Sequence, residues 1–368
     1  METVKEMPER ISTTMDVDGE SERVLVTRSM DLIRRTSPIG YDLWFGMAPT
    51  TTLLSVSPQD HADIVYSAYL LGVADKLNAT TAALYQDVLA AARLYGRPDG
   101  KPLMEKGPNA HLTAYLLGAA RLLQHVGKAA MKPALFKGWQ LDLMIDARRV
   151  PLWPKAWTHH SWRVSHWIGG TPSILLQIAQ SGENEEITPQ LVDEVLASSA
   201  RHIIDHKTGL LRPYKSALLQ KLFKAAYRLR HDPDIGELGG VVHILWVFHA
   251  VNAPYVGNSA LFANAWKHLQ VEPFMEKLPY CLDFDIVQLA RTSGTAAAIE
   301  AVPLVARATR FREDIAAFLI GDLPEGYTLH KLPGALATMH ECALLEGLPA
   351  LTELGIAPID IIKDAYWL

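Results

Sequence analysis

Two aspartates, Asp283 and Asp285, lie close together in the stretch CLDFDIVQL. A regular helix places residues i and i+2 about 200° apart around its axis, so both carboxylates can face one way only in a frayed or capping first turn. There they could share a Mg²⁺ ion, which prefers carboxylate oxygens and water as ligands. In the alternative interpretation, Asp283 caps the helix and Asp285 interacts with the helix dipole. The pair is therefore a candidate metal site or a helix start.

Three histidines, His111, His166 and His243, lie in the first turns of apolar helical segments or shortly after them. A single histidine on an apolar helix is more often a hydrogen-bonded core residue than a catalytic one. Other segments carry comparable polar residues: Asp60, His61, Ser165, Glu237, Asp283 and Asp285, with His340 and Glu341 deeper in their helix. Because buried polar groups need partners, this recurrence predicts a shared polar site. We expect the three histidines to take part in catalysis there.

A basic run without Asp or Glu covers residues 206–231. Three of its cations (Lys221, Lys224 and Arg228) follow one helical face, which is expected to be solvated. Arg212 and Lys215 are different, because they lie near a Gly and a Pro in a stretch expected to form a rim loop. Cations beside a pocket bind diphosphates and carboxylates, so these two are candidate substrate ligands.

Aromatic residues are concentrated in two places. Five tryptophans crowd the stretch from position 139 to position 167, among them Trp162 and Trp167, while Trp246 and Phe248 lie in a later apolar segment. Such density is compatible with an ordinary core. It also suits a pocket that stacks sugar rings or surrounds a carbocation, so we expect these four residues to line the substrate pocket.

The elements that must position these residues are helices, because the 3.6-residue period dominates from Arg28 onward and alternating β-branched runs are missing. Six segments are apolar on most faces: 60–77, 110–123, 165–179, 237–251, 282–294 and 334–348. More amphipathic segments lie between them: 80–96, 188–204, 216–230, 258–269 and 295–319. This alternation predicts an all-α fold in which residues 24–368 form a single-domain (α/α)6 toroid of inner and outer helices. An irregular helical bundle is the alternative.

Two local features complete the predicted organisation. Residues 1–23 are polar and free of aromatics, which is typical of a disordered leader. In SHWIGGTPS the third buried helix is expected to begin near Pro172, with the preceding glycines allowing a close approach of backbone to a ligand.

Composition excludes several classes of protein. The 368 residues are 49% hydrophobic and carry a formal charge of −5, which argues against binding to nucleic acid or to an anionic membrane. No apolar run reaches the roughly 18 residues that a membrane span requires. Two cysteines provide no disulfide framework. A cytoplasmic protein without stable membrane insertion is expected, and its oligomeric state is left open.

The run IIDHKTGLLRPYKS (203–216) resembles the Asp-x-x-Thr-Gly-Leu loop of six-hairpin glycosidases such as the unsaturated glycuronyl hydrolases. That resemblance implies a toroid and a sugar substrate. The chain departs from those hydrolases in lacking their Arg-Gly-Asn-Gly-Trp run and their paired-Asp inner helix, so their catalytic acid is not carried over. As a single helical domain with an Asp-containing helix and rim cations, the chain also resembles the atypical fungal terpene cyclases of the humulene-synthase type.

Three functional hypotheses follow. The preferred one is a Mg²⁺-dependent cyclase of an isoprenoid diphosphate, a small molecule with an anionic head and an apolar body. Asp283 and Asp285 would hold the metal, Arg212 and Lys215 the diphosphate, and the aromatics the cation. The first alternative is a carbohydrate-active enzyme, in which one of these aspartates acts as general acid with a histidine partner. The second is a non-catalytic toroid that binds a partner.

Overall fold

The computed structural model describes residues 20–46, 48–92, 110–128, 136–137, 161–202, 204–210, 218, 222, 225, 233–254, 258–296 and 302–368. In this part of the chain the secondary structure is helical, with one isolated bridge between Leu351 and Ile356 and no strand. The all-α prediction is confirmed. No helix in these ranges combines the length and the apolar character needed to cross a membrane.

Thirteen α-helices are found in the described ranges. They are α1 (Glu20–Thr36), α2 (Pro38–Phe45), α3 (Pro58–Leu70), α4 (Ala79–Ala91), α5 (Ala110–His125), α6 (Ser161–Ser181), α7 (Pro189–His202), α8 (Pro233–Ala250), α9 (Asn258–Leu269), α10 (Cys281–Ala296), α11 (Val302–Ile320), α12 (Leu332–Glu346) and α13 (Ile361–Ala365). Short 3₁₀ turns cover Thr50–Ser55, Ala74–Lys76 and Leu329–Lys331. Helix α1 begins inside the segment 1–23 that was expected to be a disordered leader.

Several helix ends follow from local side-chain chemistry. The hydroxyl of Ser57 accepts the backbone N–H of Asp60, and Pro58 occupies the first position of α3, where its missing N–H costs nothing. Asn78 caps α4 by accepting two backbone N–H groups. Gly347 ends α12 with φ 70°, a left-handed conformation that glycine adopts without steric cost.

Six helices are buried on most of their faces and pack on one another in chain order. Helix α3 packs on α5, α5 on α6, α6 on α8, α8 on α10, α10 on α12, and α12 returns to α3. Every residue is buried in the stretches 170–179, 238–248, 282–290 and 332–343. The intervening helices α4, α7, α9 and α11 each keep an exposed face and pack on one of the six. A half-buried helix thus lies between α3 and α5, between α6 and α8, between α8 and α10, and between α10 and α12, as the apolar pattern predicts. The predicted amphipathic segment 216–230 lies almost entirely outside the described residues.

The predicted start of the third buried helix near Pro172 is wrong. Helix α6 begins at Ser161 and contains Pro172 in its interior. A Cβ atom added to Gly170 would lie 2.7 Å from the carbonyl carbon of Ala110, so this glycine allows the backbone of α6 to approach α5 rather than a ligand. Tertiary burial of residues 170–179 outweighs the hydrogen bond that the proline forgoes.

The last residues of the chain pack among the buried helices. The hydroxyl of Tyr66 on α3 donates to the carbonyl of Trp367 (2.8 Å), and the hydroxyl of Ser173 on α6 donates to the carbonyl of Tyr366 (2.9 Å). Trp367 is fully buried. Asp360, which caps α13, accepts hydrogen bonds from Arg291 on α10 and His249 on α8. This C-terminal segment therefore ties together α3, α6, α8 and α10.

Candidate active site

A continuous group of rings lies where the C-terminal segment meets the buried helices. We call it the aromatic cluster; its members are Tyr66, His111, Tyr115, His243, Trp246, Phe284 and Trp367. Four of the six buried helices, α3, α5, α8 and α10, contribute to it. The structure brings together three of the candidate site residues, His111, His243 and Trp246. The ring centroids of His111 and His243 are 6.4 Å apart, and those of His243 and Trp246 are 4.6 Å apart.

Trp367 holds the middle of this cluster. Its indole N–H donates to Nδ1 of His111 (3.1 Å), and its ring stacks on that of His243 at a centroid distance of 4.9 Å. Because Nδ1 of His111 accepts a hydrogen bond, the proton of the neutral imidazole lies on Nε2. His243 is only 3% exposed, and burial lowers its pKa to about 3, with a further contribution from His111. His243 is therefore a neutral ring at physiological pH.

Beside the cluster, the exposed histidine His330 is paired with the buried aspartate Asp63. Nδ1 of His330 lies 2.9 Å from Oδ1 of Asp63, and the hydroxyl of Tyr115 donates to the same oxygen (2.7 Å). The His330 side chain is 44% exposed, whereas that of Asp63 is 1% exposed. With Asp63 ionised, Nδ1–H must donate to it, so Nε2 carries the exchangeable proton. The ring of His330 also contacts that of Tyr115 at 5.8 Å.

The two members of this pair shift each other's titration. Burial lowers the pKa of His330, but the hydrogen bond and charge of Asp63 outweigh it, so the pKa is raised from its ordinary value. Burial raises the pKa of Asp63, and the bonds from His330 and Tyr115 oppose that shift. An imidazole held by a buried carboxylate and open on its other nitrogen is an arrangement suited to proton transfer.

Asp283 and Asp285 occupy different environments. The carboxylate of Asp283 accepts the backbone N–H groups of Met275 (2.9 Å) and Tyr280 (3.0 Å), so it orders the loop that leads into α10. Burial raises its pKa to about 7 despite these bonds. Both carboxyl oxygens of Asp285 are buried without a hydrogen-bond partner, and burial raises the pKa of Asp285 well above its ordinary value. The helix-start interpretation describes the contacts of Asp283.

These environments predict effects of different size for two conservative substitutions. Asp283→Asn should lower the free energy of unfolding by roughly 2 kcal/mol, because the new amide can accept only one of the two backbone N–H groups and turns a donor toward the other. Asp285→Asn should cost under about 1 kcal/mol at pH 5, since it replaces a neutral buried carboxyl by a neutral amide. Urea unfolding of both variants measures the difference.

The pH dependence of the folding stability tests the raised pKa of Asp285. A carboxyl whose pKa is raised in the folded protein contributes stability below its unfolded pKa of about 4, and that contribution is lost as the pH rises through the folded value. Asp285→Asn removes this loss, so the variant should gain stability relative to the wild type between pH 5 and pH 8. A variant that became relatively less stable over this range would contradict the assignment.

Other candidates from the sequence are ordinary core residues. His61 accepts the indole N–H of Trp44 at Nδ1 and donates from Nε2 to the carbonyl of Leu53. His340 is bonded in the same way between the N–H of Ile359 and the carbonyl of Leu70. Burial lowers the pKa of both histidines. In His61 and His340, both ring nitrogens are thus occupied by hydrogen bonds within the core.

The remaining predicted residues fall into three groups. Phe248 is buried on α8 two residues after Trp246, so it points to a different side of that helix. His166, Trp162 and Trp167 lie in α6, but their side chains are outside the described residues. Arg212 and Lys215 are outside them as well, so the structure says nothing of an anion site there.

The glycosidase-like loop is described as far as Leu210. Asp205 accepts the backbone N–H of Lys207, and the N–H of Gly209 donates to the carbonyl of Asp205, which closes a tight turn. Gly209 has φ 70°, and a Cβ atom there would lie 2.5 Å from a side-chain carbon of Leu261 on α9. Asp205 therefore has a structural role in shaping this turn.

Sequence reasoning missed Asp63, Tyr115, His330 and Trp367. Asp63 and Tyr115 lie in the second turns of α3 and α5, whereas the candidate residues of these helices lie in the first turns. His330 lies in the 3₁₀ turn directly before α12. Its position near a helix start is the signal by which it could have been found. Trp367 had no local signal, because its place depends on how the C-terminal segment packs.

Comparison with known proteins adds no assignment. Among the described residues, no group of three or more His, Cys, Asp or Glu side chains could hold a metal ion. No family model matches the chain, and no match was found among the curated proteins or the solved structures.

Proposed function

We propose that this protein is an (α/α)6 toroid enzyme that performs acid–base chemistry on a carbohydrate, with His330 as the proton-transfer residue. The observation that carries the proposal is the hydrogen bond between the exposed imidazole of His330 and the buried carboxylate of Asp63. The toroid is supported by the return of α12 to α3 after five helix-to-helix contacts in chain order.

In the proposed reaction His330 acts as a general acid. Its protonated ring donates the Nε2 proton to the oxygen of a glycosidic bond, the bond between that oxygen and the anomeric carbon breaks, and the leaving group departs as an alcohol. Water adds to the anomeric carbon and returns a proton to the imidazole, whose protonated form the negative charge of Asp63 stabilises. Tyr115 holds Asp63 in place through its hydroxyl. The raised pKa of His330 supports this role, because more of the ring is protonated near neutral pH than in a free histidine.

A carbohydrate substrate is supported by two features. The aromatic cluster supplies flat apolar faces of the kind on which sugar rings stack. The turn at 205–210 resembles that of six-hairpin glycosidases, and its Gly209 packs against Leu261 of α9.

The Mg²⁺-dependent cyclase is the second candidate, favoured by the close packing of His243, Trp246, Phe284 and Trp367. Such rings could surround a carbocation. Its proposed metal ligands are less well supported, because Asp283 already accepts two backbone N–H groups and Asp285 is a fully buried side chain. We therefore rank it below the carbohydrate enzyme.

The proposal is tested by incubating the purified chain with aryl glycosides, unsaturated glycuronides, and geranyl and farnesyl diphosphate with and without Mg²⁺. We expect a sugar substrate to be cleaved and His330→Ala to reduce the rate at least 100-fold. His206→Ala is the matched control, because His206 is exposed and its ring hydrogen-bonds the carbonyl of Ala200 near the end of α7. A metal-dependent terpene product, or full activity of His330→Ala, would overturn the proposal.

A further inference from the structure

Three buried polar side chains on the helices α8 and α10 of the aromatic cluster lack hydrogen-bond partners. They are Asp285 and Gln288 on α10, and the indole N–H of Trp246 on α8. Their exposed fractions are 1%, 1% and 0%. In native proteins such groups are rare, because a buried polar atom without a partner carries its full desolvation penalty. Here both carboxyl oxygens and both amide atoms are in that state.

Helix geometry and one ring contact relate the positions of these groups on the neighbouring helices α8 and α10. On α10, Phe284 and Asp285 lie about 100° apart around the axis and Gln288 falls between them. The ring of Phe284 contacts that of Trp246 at a centroid distance of 5.7 Å. The two polar side chains of α10 therefore border the residue that faces Trp246, and all three adjoin the cluster that contains Trp367.

The available atoms define what could bind them. Trp246 offers one donor, and Gln288 offers two donors and an acceptor. Asp285 offers two carboxyl oxygens, and burial raises its pKa, which favours the protonated form that can donate as well as accept. Within the described residues Asp285 forms no ion pair that would favour a charged ligand. Groups that both donate and accept without carrying charge are hydroxyls.

We propose that Asp285, Gln288 and the indole N–H of Trp246 form a binding site for the hydroxyl groups of a neutral sugar unit. This inference rests on the proposed function and deepens it, because it names the part of the substrate that enters the helix interior. The neighbouring aromatic rings provide the stacking face, and the three polar groups select the ring by its hydroxyls.

Isothermal calorimetry with D-glucose, D-galactose, D-mannose and N-acetyl-D-glucosamine tests the site on the full-length chain. We expect at least one of these sugars to bind saturably, and Gln288→Met to weaken that binding at least tenfold. Gln288→Met should keep or raise the melting temperature, since it removes an unpaired amide at nearly constant volume. Trp246→Phe, which keeps a ring and removes the N–H, is a second variant that should also weaken binding.

His330→Ala separates this inference from the proposed function. That variant should lose turnover yet bind the sugar as tightly as the wild type, because His330 takes no part in the site. If a sugar is cleaved but Gln288→Met and Trp246→Phe bind it normally, the binding site is wrong while the proposed function stands. If none of the four sugars binds saturably, the inference is also overturned.

Discussion

Asp63→Asn should reduce the turnover of the proposed sugar substrate at least 100-fold while the helical circular dichroism stays unchanged. The asparagine keeps an oxygen that can accept from Tyr115, so the fold retains that contact. It loses the charge that raises the pKa of His330. Burial then acts on His330 against the smaller opposing effect of the Asp60 charge, so the imidazolium is destabilised and less general acid is present at neutral pH.

The pH profile gives this prediction a second readout. For the wild type, activity that needs protonated His330 is lost as the pH rises through the raised pKa of that histidine. In Asp63→Asn the loss should occur at lower pH. Titration of the His330 ring by NMR measures the same shift without any substrate.

Tyr115→Phe is the matched control for Asp63→Asn. It removes one hydrogen bond to Asp63 and leaves the carboxylate beside His330, so its effect on the pKa of His330 should be smaller. Equal pKa values of His330 in the wild type and in Asp63→Asn would show that the carboxylate does not control this histidine.

Glu341→Gln should lower the free energy of unfolding by about 3 kcal/mol, which is the largest stability effect that the structure predicts. The Glu341 side chain is fully buried, and Arg291 is bound to it through both carboxyl oxygens, at 2.5 and 3.0 Å. The substitution removes the negative charge of Glu341 from the largely buried Arg291, which keeps its ion pair with Asp360. Urea denaturation at pH 7 measures the loss.

Two further variants show how much of the stability loss in Glu341→Gln comes from the buried charge. Asp31→Asn changes a carboxylate of an exposed pair with Arg34 on α1 and should cost under about 1 kcal/mol. The double variant Arg291→Met with Glu341→Met should be less destabilised than Glu341→Gln, because it removes both charges from the interior. If Glu341→Gln and Asp31→Asn cost the same, the buried pair has no special role.

This ion-pair network also predicts sensitivity to acid. Burial alone would raise the pKa of Asp360, but the bonds from His249 and Arg291 outweigh it and lower the value to about 2. A lowered carboxyl pKa contributes stability above the unfolded value near 4, and this stability is lost as the pH falls toward 2. Because Asp360 caps α13, the C-terminal segment should be among the first parts to loosen in acid.

The amino-acid sequence by itself determined the helical class and the order of buried and half-buried helices. Apolar residues on all faces of segments such as 238–248 can be stabilised only by burial on every side. The same pattern indicated His111, His243 and Trp246 as candidate site residues, and the tertiary structure places their rings in one cluster. Periodicity is a local property, so it can be read without the fold.

Only the tertiary structure decided which polar residues are available for chemistry. Asp283 and His61 bond to residues that lie near them in the chain, Met275 and Tyr280 for the aspartate and Trp44 and Leu53 for the histidine. His330, by contrast, meets Asp63 across 267 positions. Trp367 enters the aromatic cluster because α13 and Asp360 direct the chain back among α3, α6, α8 and α10. Exposure and pairing are properties of such long-range contacts, and no spacing within a single helix determines them.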